Sequence, residues 1–350
     1  MMRRYRVPCS LVLLFCCTGC PRSEPRVVVY CAQDQEFATA VFDDFRDRTG
    51  LPVVPKYDTE ADKSVSLYRE LIAEKAQPRC DVFWNNEILS TIRLQKQELL
   101  EPHDSPAAKP YPAEAKADDH TWHAFATRAR ILIVNTRLVA EKDRPRSLLD
   151  LTQSRWRGRA AMARPQFGTS ATQAACLFEV LGEDRARKYY LDLKSNDVQL
   201  APGNKQVAEW VGKGTTPQGQ EVAVGVTDTD DAMEEVRAGH PVAIVYPDRD
   251  APVDGRMGTL FIPNTLAILK GSPNPEGARR LVDYLLSAEV EKRLAESESH
   301  QVPLNPEVKA TLPREIETPK TVHTMKVDFV KSAELWDRVQ QFLLQDFARP

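Results

Sequence analysis

The sequence predicts an α/β protein built as two lobes, with a mostly parallel sheet in each. Three observations predict it. From residue 26 onward, short apolar runs alternate with amphipathic stretches, the pattern of strand–helix–strand units with right-handed crossovers. The chain has 350 residues, enough for two domains at roughly 150 residues each. Hydrophobic residues make up 42% and charged residues 28%, which supplies a core and a solvated surface together.

The elements follow in order. RVVVY (26–30) reads as a short buried strand. In the next stretch Phe37, Val41 and Phe45 recur every four residues, with Asp34 placed to cap the helix and Gly50 to stop it. LPVVPKY (51–57) is a strand that its prolines place near an edge. A helix over 64–76, a strand over 80–84 and a helix over 87–97 capped by Asn86 complete the first run. A long strand is expected over 126–136, and Ser147 caps a short helix that ends near Trp156. A strand over 158–163 follows, then helices over 169–181, 184–193 and 205–211. EVAVGV (221–226) is a strand, and a helix over 230–238 stops at Gly239. Strands over 241–247 and 259–269 precede one long helix over 276–295. Near the end, Leu335, Val339, Phe342 and Phe347 share one helical face, so the tail packs.

The first residues belong to export rather than to the fold. Arg3, Arg4 and Arg6 precede a short apolar run over 7–17, and Thr18 and Gly19 precede Cys20. Residues 1–19 therefore read as a secretory signal. The ending resembles a bacterial lipobox, with cleavage before a Cys20 that carries lipid, although Cys17 stands where that pattern usually has Leu. Residues 20–25 are a linker. The expected location is a lipoprotein in the periplasm or at the outer face of the cytoplasmic membrane. Cys31 and Cys80 fall at opposite ends of their strands, so they and Cys176 are expected as free, buried thiols.

Charge and motifs exclude several functions. Lys and Arg number 47 against 50 Asp and Glu, a net charge of −3; a basic nucleic-acid binder is excluded. The chain has no G-x-S-x-G elbow, no Walker loop and no H-E-x-x-H, so an enzyme is not expected. His120 and His123 lie in DDHTWH with no further ligand spaced to complete a metal site; a solvated loop is the reading there. Tyr189 and Tyr190 sit inside a helical segment and read as packing.

Ligands of open α/β sheets bind beyond the carboxyl ends of the strands. Four segments qualify: 32–35, 85–87, 167–172 and 227–231. The first contributes Gln33, the second Asn85 and Glu87. GTSATQAA (168–175) opens a helix with Thr169, Ser170 and Thr172, whose hydroxyls and free N–H groups suit an anion. VTDTDDAM (226–233) brings Thr227, Asp228 and Asp230, with Asp231 beside them. Their carboxylates suit either a hard cation or a ligand's ammonium or hydroxyl groups. Arg128 and Arg130 stand near the crossing between lobes, where an Arg pairs with an anion bidentately. Replacing Asp228 and Asp230 together is expected to abolish ligand binding, at a stability cost no larger than a lost cap, about 1–2 kcal/mol.

Six segments carry a resemblance: VVVYCAQDQEFATAVFDDFRDRTG, CDVFWNNEILSTIRLQKQELLEP, WHAFATRARILIVNTR, WRGRAAMARPQFGTSATQAA, GSPNPEGARRLVDYLLSAEVEKRLAES and HQVPLNPEV. In this order and spacing the chain resembles the substrate-binding proteins of bacterial ABC importers, and among them the ferric-iron-binding group. The resemblance implies the two-lobed periplasmic-binding-protein type 2 (Venus flytrap) fold, with 26–128 plus 248–305 as lobe 1 and 129–247 plus 306–350 as lobe 2. It implies capture of a small ligand in the interlobe cleft and delivery to a permease and ATPase complex, with ferric iron or a ferric–anion complex as cargo and no resident cofactor. By resemblance, 168–175 would hold a synergistic anion and Glu87 stands where relatives place a carboxylate ligand; as hard oxygen donors, Asp228 and Asp230 would join it as metal ligands. In the ferric group adjacent tyrosines occupy the loop at 226–233; this chain has aspartates and threonines there. The alternatives are a small organic anion, phosphonate or amine as ligand, or an exported metal-assisted hydrolase on the same fold.

Overall fold

The computed structural model describes residues 25–58, 65–250 and 257–347; the signal peptide, the linker up to residue 24 and Cys20 lie outside them. The first run is β1 (Val27–Cys31), α1 (Gln35–Thr49), β2 (Val53–Tyr57), α2 (Val65–Ala73), β3 (Val82–Asn85) and α3 (Leu89–Lys96). β1 pairs in parallel with β2 on one side and β3 on the other. α1 buries Val41 and Phe45 on the face that the sequence marks, and it ends at Gly50, whose φ of 69° only glycine adopts freely. β4 (Leu100–Glu101) is too short to leave a pattern. β5 (Trp122–Asn135) is 14 residues long and buried throughout.

The second run repeats the logic with β6 (Ala160–Ala163), α4 (Gly168–Leu181), α5 (Glu183–Ser195), β7 (Gln199–Ala201), α6 (Asn204–Lys213), β8 (Val224–Asp228) and α7 (Thr229–Arg237). β6 is parallel to both β7 and β8. The chain continues through β9 (Val242–Val245), β10 (Phe261–Leu269), α8 (Pro275–Leu285), α9 (Ala288–Glu296) and α10 (Phe329–Phe342). The single helix expected over 276–295 is broken between α8 and α9. There Ser287 is extended (φ −67°, ψ 148°) and its hydroxyl accepts the Val290 N–H. A new cap of this kind is worth about 1 kcal/mol, enough to support a second start.

The sheet runs β2-β1-β3-β10-β5-β8-β6-β7, with β4 on β10 and β9 on β5. It is mixed rather than mostly parallel. The flanking strands are parallel, but β5 and β10 run antiparallel to each other, and to β8 and β3 respectively. The reason is connectivity: β5 carries the chain out of the first lobe and β10 brings it back. The first half of β5 pairs with β10, and from Arg130 onward β5 pairs with β8 and β9. One strand therefore joins the two halves of the sheet.

Two apolar clusters dominate the core of the described residues. Val29, Phe45, Trp84 and Leu281 are in one; Leu132, Val226, Tyr190 and Phe342 are in the other. α10 touches both, through Trp336 and Val339. Tyr189 and Tyr190 are buried packing residues, Tyr190 lying edge-on to Phe347 with ring centroids 5.2 Å apart. Cys31, Cys80 and Cys176 are buried, and among the described residues they form no disulfide. His123 departs from the solvated loop expected of it: it is a buried residue of β5, and its Nε2 lies 2.8 Å from the carbonyl of His103. Among the described residues, no helix is long and apolar enough to cross a membrane.

Candidate ligand site between the lobes

The carboxyl ends of β6 and β8, the chain after β7 and the starts of α4 and α7 converge on Asp34 and Asn86 from the first lobe. They line a pocket with Arg128, Thr169, Asn204, Asp228, Asp230 and Asp231. The enclosed space is about 20 Å³, room for one water-sized species.

Its foundation is an ion pair set by strand register. Arg130 of β5 stands opposite Asp228 of β8, and Nη1 donates to Oδ1 at 2.8 Å. Both residues are almost fully buried. Every arm of the Arg130 guanidinium is used: Nε donates to Gln173 at 3.1 Å, Nη1 also to Thr169 and Asn204, and Nη2 to the Ser170 hydroxyl. The second oxygen of Asp228 accepts from the Thr169 hydroxyl at 2.6 Å and from Asn204 Nδ2 at 3.1 Å. Burial is the largest influence on Asp228 and favours its neutral form. The charges of Arg130 and Arg128, with the Thr169 bond, outweigh it and hold the carboxyl below its usual range.

Arg128 sits two residues earlier on the same strand. Its Nη2 donates to the Asn86 carbonyl at 2.7 Å, and Nε lies 3.6 Å from Asp228 and 3.7 Å from Asp230. Burial again works against the charge, and Asp230 and Asp228 overcome it, so the guanidinium stays protonated. Arg128 is 3% exposed, and among the described residues its buried Nη1 has no hydrogen-bond partner. Beside it, carboxylate oxygens of Asp228, Asp230 and Asp231 all lie within 4.8 Å of one another. The site thus presents a buried cation with an open donor next to three clustered acids.

Of the residues expected here, Arg128, Thr169, Asp228 and Asp230 line the pocket; the others are placed differently. Glu87 is the main correction. Its carboxylate accepts the N–H groups of Leu89 and Ser90 at 2.6 and 3.0 Å, capping α3 in the role assigned to Asn86. It also accepts the Thr172 hydroxyl at 2.8 Å and Asn85 Nδ2 at 3.0 Å. That occupies Glu87, Thr172 and Asn85 with one another beneath the pocket, and Asn86 lines it instead. Ser170 donates to Asn204 Oδ1, and Thr227 is bonded to the Asn204 carbonyl and Asp231. Gln33 is buried behind the pocket, where it accepts from Gln301 Nε2 at 3.2 Å. Sequence reasoning missed Asn204 and Arg164, the latter at the exposed rim. Asn204 had a local signal, the P-G-N turn that begins a helix just after a strand.

Residues 89–333, well over half the chain, match the model of the family described as bacterial extracellular solute-binding protein. The chain belongs to that family. This solute-binding protein is 27% identical over 298 residues to the major ferric iron-binding protein of Neisseria meningitidis, covering 81% of this chain and 82% of the relative. Its fold superposes with a TM-score of 0.79 on iron-bound HitA from Pseudomonas aeruginosa, at 21% identity over 91% of this chain and 99% of that one. The TM-score is also 0.79 to the periplasmic binding protein AfuA from Actinobacillus pleuropneumoniae with fructose-6-phosphate bound, at 21% identity over 94% and 100% of the chains. These likenesses show the two-lobed periplasmic-binding-protein fold, and the relatives are binding proteins rather than enzymes.

Proposed function

We propose that this solute-binding protein captures a ferric ion together with a small anion between its lobes and delivers the pair to an ABC permease. One observation carries the reading: the Asp228, Asp230 and Asp231 carboxylates converge beside Arg128, whose buried Nη1 has no hydrogen-bond partner among the described residues. Carboxylates are hard oxygen donors suited to a hard cation. A trivalent ion beside a buried guanidinium is repelled unless an anion lies between them, and Nη1 with the start of α4 offers that anion a seat. The Neisseria relative, named for ferric iron binding, supports the same cargo. The lobes are taken as 26–128 plus 248–305 and 129–247 plus 306–350, hinged through β5, with lipid on Cys20 holding the protein at the membrane.

The test is calorimetric titration of metal-free protein with ferric citrate, citrate alone and phosphate alone. Ferric citrate binding far more tightly than either anion supports the proposal; no response to ferric citrate overturns it. Thermal shift gives an independent reading, since a ligand at 100 times its Kd stabilises by roughly 2.7 kcal/mol.

A second reading, a phosphorylated or phosphonate solute, has one observation in its favour. Among the described residues no tyrosine lines the pocket, and a guanidinium does. A glucose-phosphate or aminoethylphosphonate arm in the same titration separates the two, because only this reading expects tight binding without iron.

A further inference from the structure

The strand shared by the two lobes contains a strained residue, and buried side chains grip it from both directions. Ala126 of β5 has φ 37°, in the left-handed region that alanine enters only at an energetic penalty. It is the extra residue of a β-bulge: across β10, Thr127 faces Pro263 and Phe125 faces Asn264, so Ala126 is skipped. Three residues later, after Ala129, β5 leaves β10 for β8. A bulge bends its strand, so the backbone at Ala126 determines the direction in which β5 enters the second sheet.

Two side chains hold that backbone. Glu291 of α9 is completely buried, and its Oε1 accepts the Ala126 N–H at 2.6 Å. On the other side of the same residue, Asn264 Nδ2 donates to the Ala126 carbonyl. Glu291 also accepts the N–H groups of Leu304 and Asn305, both at 2.9 Å. Next to them Thr127 and Val302 exchange both backbone hydrogen bonds, at 2.8 and 2.7 Å. A fully buried carboxylate is costly to keep. Here three backbone donors converge on it, and one belongs to the strained residue of the crossing strand.

We propose that Glu291 is a positioning residue for the hinge, holding Ala126 in its left-handed state and so setting the rest position of the two lobes. The function follows from geometry. With the N–H of Ala126 released, the alanine relaxes toward ordinary extended backbone, the bulge flattens, and the second sheet swings relative to the first. Glu291 is not among the residues that line the pocket; it acts on ligand capture through the angle of β5.

Ligand-free protein tests this with two readouts, small-angle X-ray scattering for lobe separation and amide exchange at Ala126. Glu291→Leu removes the acceptors; it is expected to raise Ala126 exchange at least tenfold and to enlarge the radius of gyration. Glu291→Gln keeps one carbonyl oxygen for Ala126 and should remain close to the unmodified protein in both readouts. Adding Ala126→Gly to Glu291→Leu should restore the radius of gyration, because glycine adopts this φ without a clamp. A role for Glu291 only in anchoring residues 304–305 predicts no such rescue. Unmodified scattering from Glu291→Leu, or failure of the glycine to restore it, overturns the proposal. If Glu291→Leu does not fold, Ala126→Val carries the same expectation, since a β-branched residue resists the left-handed state; scattering unchanged by it also overturns the proposal. So does an Ala126 amide that exchanges at loop rates in the unmodified protein.

Discussion

Replacing Asp228 with alanine tests the foundation of the site. From sequence, replacing Asp228 and Asp230 together is expected to cost no more stability than a lost cap, about 1–2 kcal/mol. In the structure Asp228 starts α7 without any side-chain cap bond, and its carboxylate instead anchors Arg130 at 2.8 Å, Thr169 at 2.6 Å and Asn204 at 3.1 Å. Arg130 is 1% exposed, so removing its partner strands a buried charge. Breaking such a pair costs about 3–5 kcal/mol, clearly more than a cap. The pH dependence carries a sign. Because Asp228 is depressed in the folded state, its contribution is complete above the unfolded carboxyl value of about 3.9 and is lost as pH falls through the folded value. The assay is urea denaturation followed by tryptophan fluorescence, at neutral pH and along an acid series. Asp228→Ala should lose about 3–5 kcal/mol at neutral pH and show a shallower further loss in acid than the unmodified protein. A loss of about 1 kcal/mol or less, with the acid limb unchanged, would refute the reasoning: Arg130 would then be satisfied by Gln173 and Asn204 alone.

The other predictions concern the ligand and the membrane. Arg128→Lys keeps the charge but loses the planar fork, so anion affinity measured by calorimetry should fall by about tenfold or more; unchanged affinity places the anion elsewhere. Iron-loaded protein should lack the intense visible band of phenolate-to-iron charge transfer, since among the described residues no tyrosine lines the pocket; a strong band in the absorption spectrum puts a tyrosine on the metal. Cys20→Ala should move the protein from the membrane to the soluble fraction after cell fractionation, and unmodified protein found in the soluble fraction refutes the lipid anchor.

How much was legible depended on whether the signal was periodic or tertiary. Val41 and Phe45 declared α1, and Gly50 its end, because helical spacing and a left-handed stop are local properties. The order of most strands also came through, since each is an apolar run set apart from its neighbours by polar segments. β4 and β7 did not, at two and three residues. The mixed direction of the sheet was hidden because strand direction depends on where the chain goes next, not on the strand's own residues. At the site, the convergence of segments 167–172 and 227–231 followed from where α/β sheets bind ligands. The division of labour within it did not follow. Glu87 and Asn86 exchanged the expected roles because a cap is decided by which side-chain oxygen reaches the free N–H groups, and here it is the Glu87 carboxylate that does. Arg130 was weighed as a ligand contact, yet the β5–β8 register sets it against Asp228 as structure. No one-dimensional pattern records that pairing.

The same register explains how one strand serves two purposes. Arg128 and Arg130 are two residues apart on β5, so their side chains leave the same face of the sheet. Arg130 is almost fully buried, and Asp228, Thr169, Asn204, Ser170 and Gln173 engage all three of its guanidinium nitrogens. Arg128 is held by the Asn86 carbonyl on one side and by Asp228 and Asp230 on the other, and its buried Nη1 has no hydrogen-bond partner among the described residues. A bare oxyanion arriving there meets Arg128 and Arg164 but also Asp34, Asp228, Asp230 and Asp231. Acids outnumber bases along this lining, so an anion that brings no positive charge is opposed by the surroundings of its own anchor. An anion paired with a metal ion, or one bearing an ammonium group, relieves that repulsion and draws on both halves of the site.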